Sequence, residues 1–167
     1  VGRGGGGVGL YGDLEKSDGG VDVAALGEDR AEVRIAHGIE AGGVNVLIDA
    51  GISMRRIKGC LAACGLSPHD LKGVFITHEH ADHISGLSML IKYFDFPVFA
   101  PRTVGSRLMG MLPDLGGRMR IVHTSEPVTL GDLSVTAFQT MHDTPESVGY
   151  RIDAESSFGL CTDLGYV

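Results

Sequence analysis

The segment Val74-Phe75-Ile76-Thr77-His78-Glu79-His80-Ala81-Asp82-His83 decides how the rest of the chain is read. It opens as a compact apolar run, the pattern of a buried strand. It then packs three imidazoles and two carboxylates into the positions from His78 to His83. With His at only 7 of 167 positions, a chance H-x-H-x-D-H anywhere in the chain has odds of roughly one in a thousand. Borderline-soft divalent ions such as zinc prefer imidazole nitrogen with a carboxylate partner, so metal binding gives this density a physical reason. If the backbone leaves the strand still extended, residues two apart point the same way, and His78 and His80 grip one ion from one side. If it then turns into a helix beginning near Ile84, Asp82 and His83 face another direction and serve a second ion. The helical H-E-x-x-H of zinc proteases would need His at position 82, where this chain has Asp82.

Working outward, Val33 to His37 and Val44 to Asp49 read as strands, and Asp49-Ala50-Gly51 turns into a helix from Ser53 to Cys64. Met54, Ile57, Leu61 and Cys64 share one face of that helix, and Gly65 stops it. Ser67-Pro68 opens a short helical turn ahead of the central strand. Downstream, Ile84, Leu87, Ile91 and Phe94 keep helical spacing, Val98 to Ala100 reads as a strand, and Pro101 opens a helix carrying Val104, Leu108 and Met111. The period then changes to 2 at Leu133, Val135 and Ala137, and runs from Val148 to Ile152 and from Ser157 to Thr162 also look extended. The pattern is that of an α/β chain.

A length of 167 residues suits one domain, and 43% hydrophobic with 21% charged residues is the balance of a soluble globular protein. The apolar stretches fall short of the roughly 18 residues needed to cross a bilayer. Nine of the 26 glycines fall within the first 20 positions, so residues 1–30 are expected to be a Gly-rich extension, disordered or aberrant, and residues 31–167 the domain proper. Three cysteines, Cys60, Cys64 and Cys161, fit no zinc spacing and cannot all pair, which points to a reducing cytoplasm. Cys60 and Cys64 are expected in the core. The net charge of −7 disfavours nucleic acid on electrostatics alone, but that reasoning fails where carboxylates hold dications.

Two later residues complete a ligand set. His142, in Thr140-Met-His-Asp-Thr, follows the alternating strand, and Asp163, in Cys161-Thr-Asp-Leu-Gly, follows another short one. Strand ends are where ligands of a sheet-built site emerge. In this order the chain resembles the metallo-β-lactamase fold superfamily of metal-dependent hydrolases, whose signature is T-H-x-H-x-D-H, then a His, then an Asp. Ile48-Asp-Ala-Gly51, the segment from Phe75 to His83, His142-Asp143 followed by Val148-Gly-Tyr150, and Thr162 to Val167 look most like its YycJ (WalJ) branch, cytoplasmic bacterial hydrolases usually regarded as nucleases.

That resemblance implies an αβ/βα sandwich, present here as its first half and the start of the second. It also implies two divalent ions, zinc or manganese: His78, His80 and His142 on one, Asp82 and His83 on the other, and Asp163 bridging both. Asp82 would orient a bridging water acidified toward neutral pH, which attacks a phosphorus or carbonyl centre. The expected activity is phosphodiester cleavage in DNA or RNA. Thioester or lactone hydrolysis is the alternative in the wider superfamily, and an inactive metal-binding fragment is a third reading. The branch pattern continues beyond the bridging Asp to a final His, so the chain is expected to be a piece of a longer domain, poorly stable by itself. Glu79, between two ligands, is expected to point away from the metals. Asp143 receives no catalytic role, because adjacent residues on a strand face opposite ways.

Overall fold

The computed structural model describes residues 36–41 and 43–165 in full, and the backbone of two short strands at 14–15 and 22–25. Strands β1 (Leu14–Glu15), β2 (Asp22–Ala25), β3 (His37–Ala41), β4 (Val44–Ile48), β5 (Leu71–Phe75), β6 (Val98–Pro101) and β7 (Met119–Val122) lie side by side in chain order as one seven-stranded sheet. Neighbours from β1 to β4 pair antiparallel, and those from β4 to β7 pair parallel. Strands β8 (Pro127–Leu130), β9 (Leu133–Gln139), β10 (Val148–Asp153) and β11 (Ser157–Leu160) form a second, antiparallel sheet in the order β11-β10-β9-β8. Parallel neighbours cannot be joined by a tight turn, and the crossovers here are helical: α1 (Met54–Ala63) before β5, α2 (Ala81–Ile84) and α3 (Leu87–Tyr93) before β6, and α4 (Arg102–Met111) before β7.

Period 2 within the central strands sorts their side chains into two cores. Leu47, Val74, Ile76, Val98 and Ala100 pack beneath the helices with Ile57, Leu61, Leu87, Leu90, Val104 and Leu108. The alternate residues Val46, Ile48, Phe75 and Phe99 pack against Leu133, Val135, Ala137, Val148, Tyr150 and Ile152 of the second sheet. The first sheet is thus covered on both faces, which is why its strands read as continuous apolar runs, whereas β9 alternates. Among the described residues the layers are helices, sheet and sheet. Phe75 stacks on Phe99 at 4.4 Å between ring centroids and meets Tyr150 edge-on at 5.4 Å. The buried Tyr150 hydroxyl donates to the Ile76 carbonyl at 2.8 Å, tying the second sheet to the end of β5.

Several expectations are corrected. The helical stretch from Ile84 to Phe94 is two helices, because the chain bends at Ser85-Gly86, and α2 starts at Ala81, so Asp82 and His83 lie in its first turn. Strand β3 begins at His37, where the sequence pattern placed a strand's end, and residues 33–35 lie outside the described residues. Strands β7 and β8 carry no alternation long enough to be read, and β1 and β2 fall inside the segment read as an extension. The rest of residues 1–30 lies outside the described residues. Cys60 is buried but Cys64 is exposed at the end of α1, and Met111 is exposed at the end of α4. Cys64 follows the last residue of α1, and Met111 is the last residue of α4.

Between β4 and α1 the chain runs against the backbone of α2. The Ala50 N–H donates to the His83 carbonyl at 2.7 Å, the Gly86 N–H to the Ala50 carbonyl at 2.7 Å, and the Ser85 hydroxyl to the Gly51 carbonyl at 2.6 Å. So close an approach requires glycine: a Cβ on Gly51 would stand 1.4 Å from the Asp82 carbonyl oxygen, and one on Gly86 2.0 Å from that of Ile52. Gly51→Ala is therefore expected to cost about 3 kcal/mol or more. Gly59→Ala, on open α1 surface, should stabilise by about 0.5 to 1 kcal/mol. Urea unfolding of both variants beside the unaltered chain checks the pair, and a mild Gly51→Ala would mean that this contact is looser than described.

Candidate metal centre

Beyond β5 the chain bends at Thr77, and His78 and His80 meet ring to ring, His78 Nε2 lying 3.1 Å from His80 Nδ1. The chain then enters α2, which carries Asp82 and His83. His142 comes from the loop 140–147 between β9 and β10. That loop is closed at its base by the Thr140 N–H donating to the Ser147 carbonyl at 3.0 Å and by the paired Thr140 and Ser147 hydroxyls at 2.8 Å. The Val148 N–H donates to the Thr77 carbonyl at 3.2 Å, which sets the loop beside the histidine segment. Asp163 follows β11 in a left-handed conformation (φ 51°) that Asp tolerates better than most residues. The Gly165 N–H donates to the Met141 carbonyl at 2.9 Å and joins that segment to the His142 loop.

These placements bring the proposed ligands together in two overlapping groups. His142 Nε2 lies 3.2 Å from His80 Nδ1, so His78, His80 and His142 form one cluster. The second contains His78, His83 and Asp163: Asp163 Oδ2 is 2.6 Å from His83 Nε2 and 3.7 Å from His78 Nε2. Asp82 stands to the side, 40% exposed, with Oδ2 3.7 Å from His83 Nε2.

Hydrogen bonds behind the cluster aim the rings. The buried Asp49 carboxylate, unassigned in the sequence reading, accepts the Thr77 N–H, the Thr77 hydroxyl and His83 Nδ1–H, each at 2.8 Å. A carboxylate only accepts, so the proton of His83 sits on Nδ1 and Nε2 faces the cluster. The Thr77 hydroxyl has given its proton to Asp49, so its oxygen accepts from His78 Nδ1–H at 3.0 Å, and His78 Nε2 likewise faces inward. Asp49 could have been suspected from its place in Ile48-Asp-Ala-Gly51, directly after a buried strand. Its φ of 60° puts it in the left-handed region, the strained geometry that clusters at functional sites.

Several ring nitrogens and a carboxylate oxygen thus converge in one cleft. Among the described residues, His83 Nε2 and Asp163 Oδ2 are buried and have no hydrogen-bond partner. A buried carboxylate oxygen beside a buried imidazole nitrogen is costly unless a proton on the ring or a metal ion bound by both supplies positive charge. The donor set of imidazole nitrogen with carboxylate suits zinc and its neighbours, so the residues present fit a divalent metal.

Asp143 departs from expectation. His142 lies in a loop, not on a strand, and the alternation that would separate the two residues does not apply. Asp143 Oδ1 is 3.1 Å from His142 Nε2 and 3.8 Å from His80 Nε2 at the exposed mouth of the site. Glu79 turns away from the cluster toward α4 and Thr144.

The chain belongs to the family of the Beta-lactamase superfamily domain, whose sequence profile matches residues 44–167. It is 31% identical over 124 residues to exodeoxyribonuclease YycJ of Bacillus anthracis, covering 73% of this chain and 47% of that protein. It is also 31% identical over 135 residues to exodeoxyribonuclease WalJ of Streptococcus pneumoniae serotype 2 (77% and 49%), and 33% identical over 122 residues to ribonuclease Z of Methanopyrus kandleri (69% and 42%). The chain spans about half the length of the curated relatives it matches. A subclass B3 metallo-beta-lactamase from a soil metagenome library, MEM-A1, shares the fold with a TM-score of 0.67 at 24% identity, over 90% of this chain and 60% of that one. The metallo-β-lactamase fold expected from the order of the motifs is the fold of this chain.

In the metal-free protein the two buried imidazoles titrate in opposite directions. Burial first, and then the neighbouring charge of His83, lower His78 to about 4. Burial also opposes charge on His83, but the Asp49 hydrogen bond and the carboxylates of Asp49, Asp163 and Asp82 outweigh it and raise His83 above its ordinary value. A depressed His78 is stabilising above the unfolded value near 6.5 and loses that contribution as pH falls toward 4. A raised His83 keeps its contribution throughout that window and loses it only at higher pH. The metal-free chain should therefore gain stability from pH 4.5 to 6.5, with about 2 kcal/mol of the gain belonging to His78. Denaturant unfolding of the chain and of His78→Gln at the two pH values checks this, and an equal gain in both would contradict it.

Proposed function

We propose that residues 31–167 are part of a dinuclear metal-dependent hydrolase that cleaves phosphodiester bonds in DNA or RNA. The observation that carries this reading is the pair of overlapping ligand groups sharing His78 in one cleft. His78, His80 and His142 would hold one divalent ion, zinc or manganese, and His83 with Asp82 the second, Asp163 lying between them. When bound, two such ions acidify water and stabilise charge developing on a phosphate.

This chain's own residues would do the rest. Asp82 is a ligand-side carboxylate that reaches solvent, and it would orient the attacking water. Asp49 and Thr77 hold the rings of His83 and His78 so that Nε2 of each faces the cleft. Two dications would outweigh the carboxylates of Asp82 and Asp163, so the cleft can attract a polyanion although the whole chain carries −7. The relatives are named as an exodeoxyribonuclease and as ribonucleases, and they support nucleic acid as the substrate class. No helix among the described residues is long and apolar enough to cross a membrane. Cys60, Cys64 and Cys161 form no disulfide with one another, which supports a reducing, cytoplasmic compartment.

Elemental analysis of the purified chain should find close to two transition-metal ions per molecule, and the double variant His78→Ala, His80→Ala should lose at least one. The metal-loaded chain should hydrolyse bis-p-nitrophenyl phosphate and leave thioesters untouched. Thioester turnover without diester turnover would assign the chain to another chemistry, and full metal retention by the double variant would remove the ligand assignment.

A further inference from the structure

Glu79 lies between two of the clustered histidines, yet its carboxylate leaves the cluster. Oε1 forms an ion pair with Arg107 Nη1 of α4 and accepts the Thr144 hydroxyl at 3.0 Å, two residues beyond His142. The side chain is only 10% exposed, and Oε2 is buried with no hydrogen-bond partner. A buried carboxylate satisfied on one oxygen alone is an expensive way to fill space. Glu146 binds the same loop to the same helix from the other side, its Oε2 accepting the Thr103 N–H at 2.6 Å. The loop bearing His142 is therefore held to α4 at both ends of its outer half. Only the Glu79 contact starts from the segment that carries His78 and His80.

From this geometry we infer that Glu79 is a positioning residue for the three-histidine group: through Thr144 and Arg107 it fixes how far His142 stands from His80, while the ring of His83 is held separately by Asp49. The inference rests on the metal-binding reading above and adds a selectivity that reading does not contain. His83 is oriented through Asp49, with no path through Glu79. Among the described residues, the His142 ring meets His80 and the exposed Asp143 in place of a buried acceptor like Asp49. Its position thus depends on its loop, which Glu79 holds at Thr144 beside the other loop contacts. Loss of an outer partner of a metal ligand typically costs 10- to 100-fold in affinity.

Cobalt(II) titration of the full chain, followed by its visible absorption, reads the two groups separately once His142→Ala and His83→Ala have assigned the bands. Glu79→Ala should weaken the band lost in His142→Ala by about tenfold or more and leave the other within about twofold. Glu79→Gln keeps an oxygen for Thr144 and should recover most of that loss. Thr144→Val leaves the pair with Arg107 intact, carries the test if Glu79→Ala does not fold, and should reproduce the selective weakening. Equal weakening of both bands, or a lower unfolding temperature with unchanged cobalt affinity, would make Glu79 merely structural and overturn the inference. Failure of the unaltered chain to bind cobalt at all would overturn the metal reading and this inference together. Normal binding in both the unaltered chain and Glu79→Ala would overturn the inference alone.

Discussion

The Asp49 carboxylate, fully buried and accepting three hydrogen bonds at 2.8 Å, is the constraint on which the candidate site depends. It sits where β4 ends, and its acceptors reach the end of β5 at Thr77 and the first turn of α2 at His83. One charge therefore fixes the register between two parallel strands and the entry of a helix, and it also sets which nitrogen of each buried imidazole is free. A buried carboxylate is tolerable because every donor it needs is supplied within the fold. Removing any one donor would leave a partly satisfied charge in the core, a cost larger than the bond itself.

Around that charge the architecture divides the labour. The first sheet and its helices bring His78, His80, Asp82 and His83 to one edge. The second sheet contributes His142 and Asp163 from the loop 140–147 and the segment after β11. The two halves are joined close to the cluster by the Tyr150 hydroxyl on the Ile76 carbonyl, by Val148 on Thr77, and by Gly165 on Met141. Burial of Tyr150 raises its pKa well above the ordinary value, with the charge of Asp49 adding to the effect, so it remains a neutral donor in this role. The layer contact is thus an apolar core with a polar seam along the edge where the ligands gather.

Much of this was legible in the sequence because the strongest signals are local. Three histidines and an aspartate at fixed spacing after an apolar run announce both a buried strand and a ligand-bearing turn, and the alternation at Leu133, Val135 and Ala137 announces a strand with one wet face. What escaped was long-range or depended on where an element stops. Asp49 is separated by 28 residues from Thr77 and by 34 from His83, and no period links them. The break between α2 and α3 follows from contact of Gly86 with the segment after β4, not from helix propensity. Cys64 and Met111 fit the apolar face of their helices but stand at the helix ends, where they are exposed. Asp143 lies beside His142 because the chain makes a loop where the sequence pattern suggests a strand. The sequence placed Glu79 away from the metals but could not name Arg107 and Thr144 as its partners, since those contacts span 28 and 65 positions.

The most direct test is anomalous diffraction from crystals of the zinc- or manganese-loaded chain, recorded on both sides of the metal absorption edge. Two peaks roughly 3.5 to 4 Å apart are predicted, one surrounded by His78, His80 and His142 and the other by His83, Asp163 and Asp82. A peak held by other residues, or a single peak with His83 still bonded to Asp49 and no metal beside Asp163, would contradict a dinuclear centre.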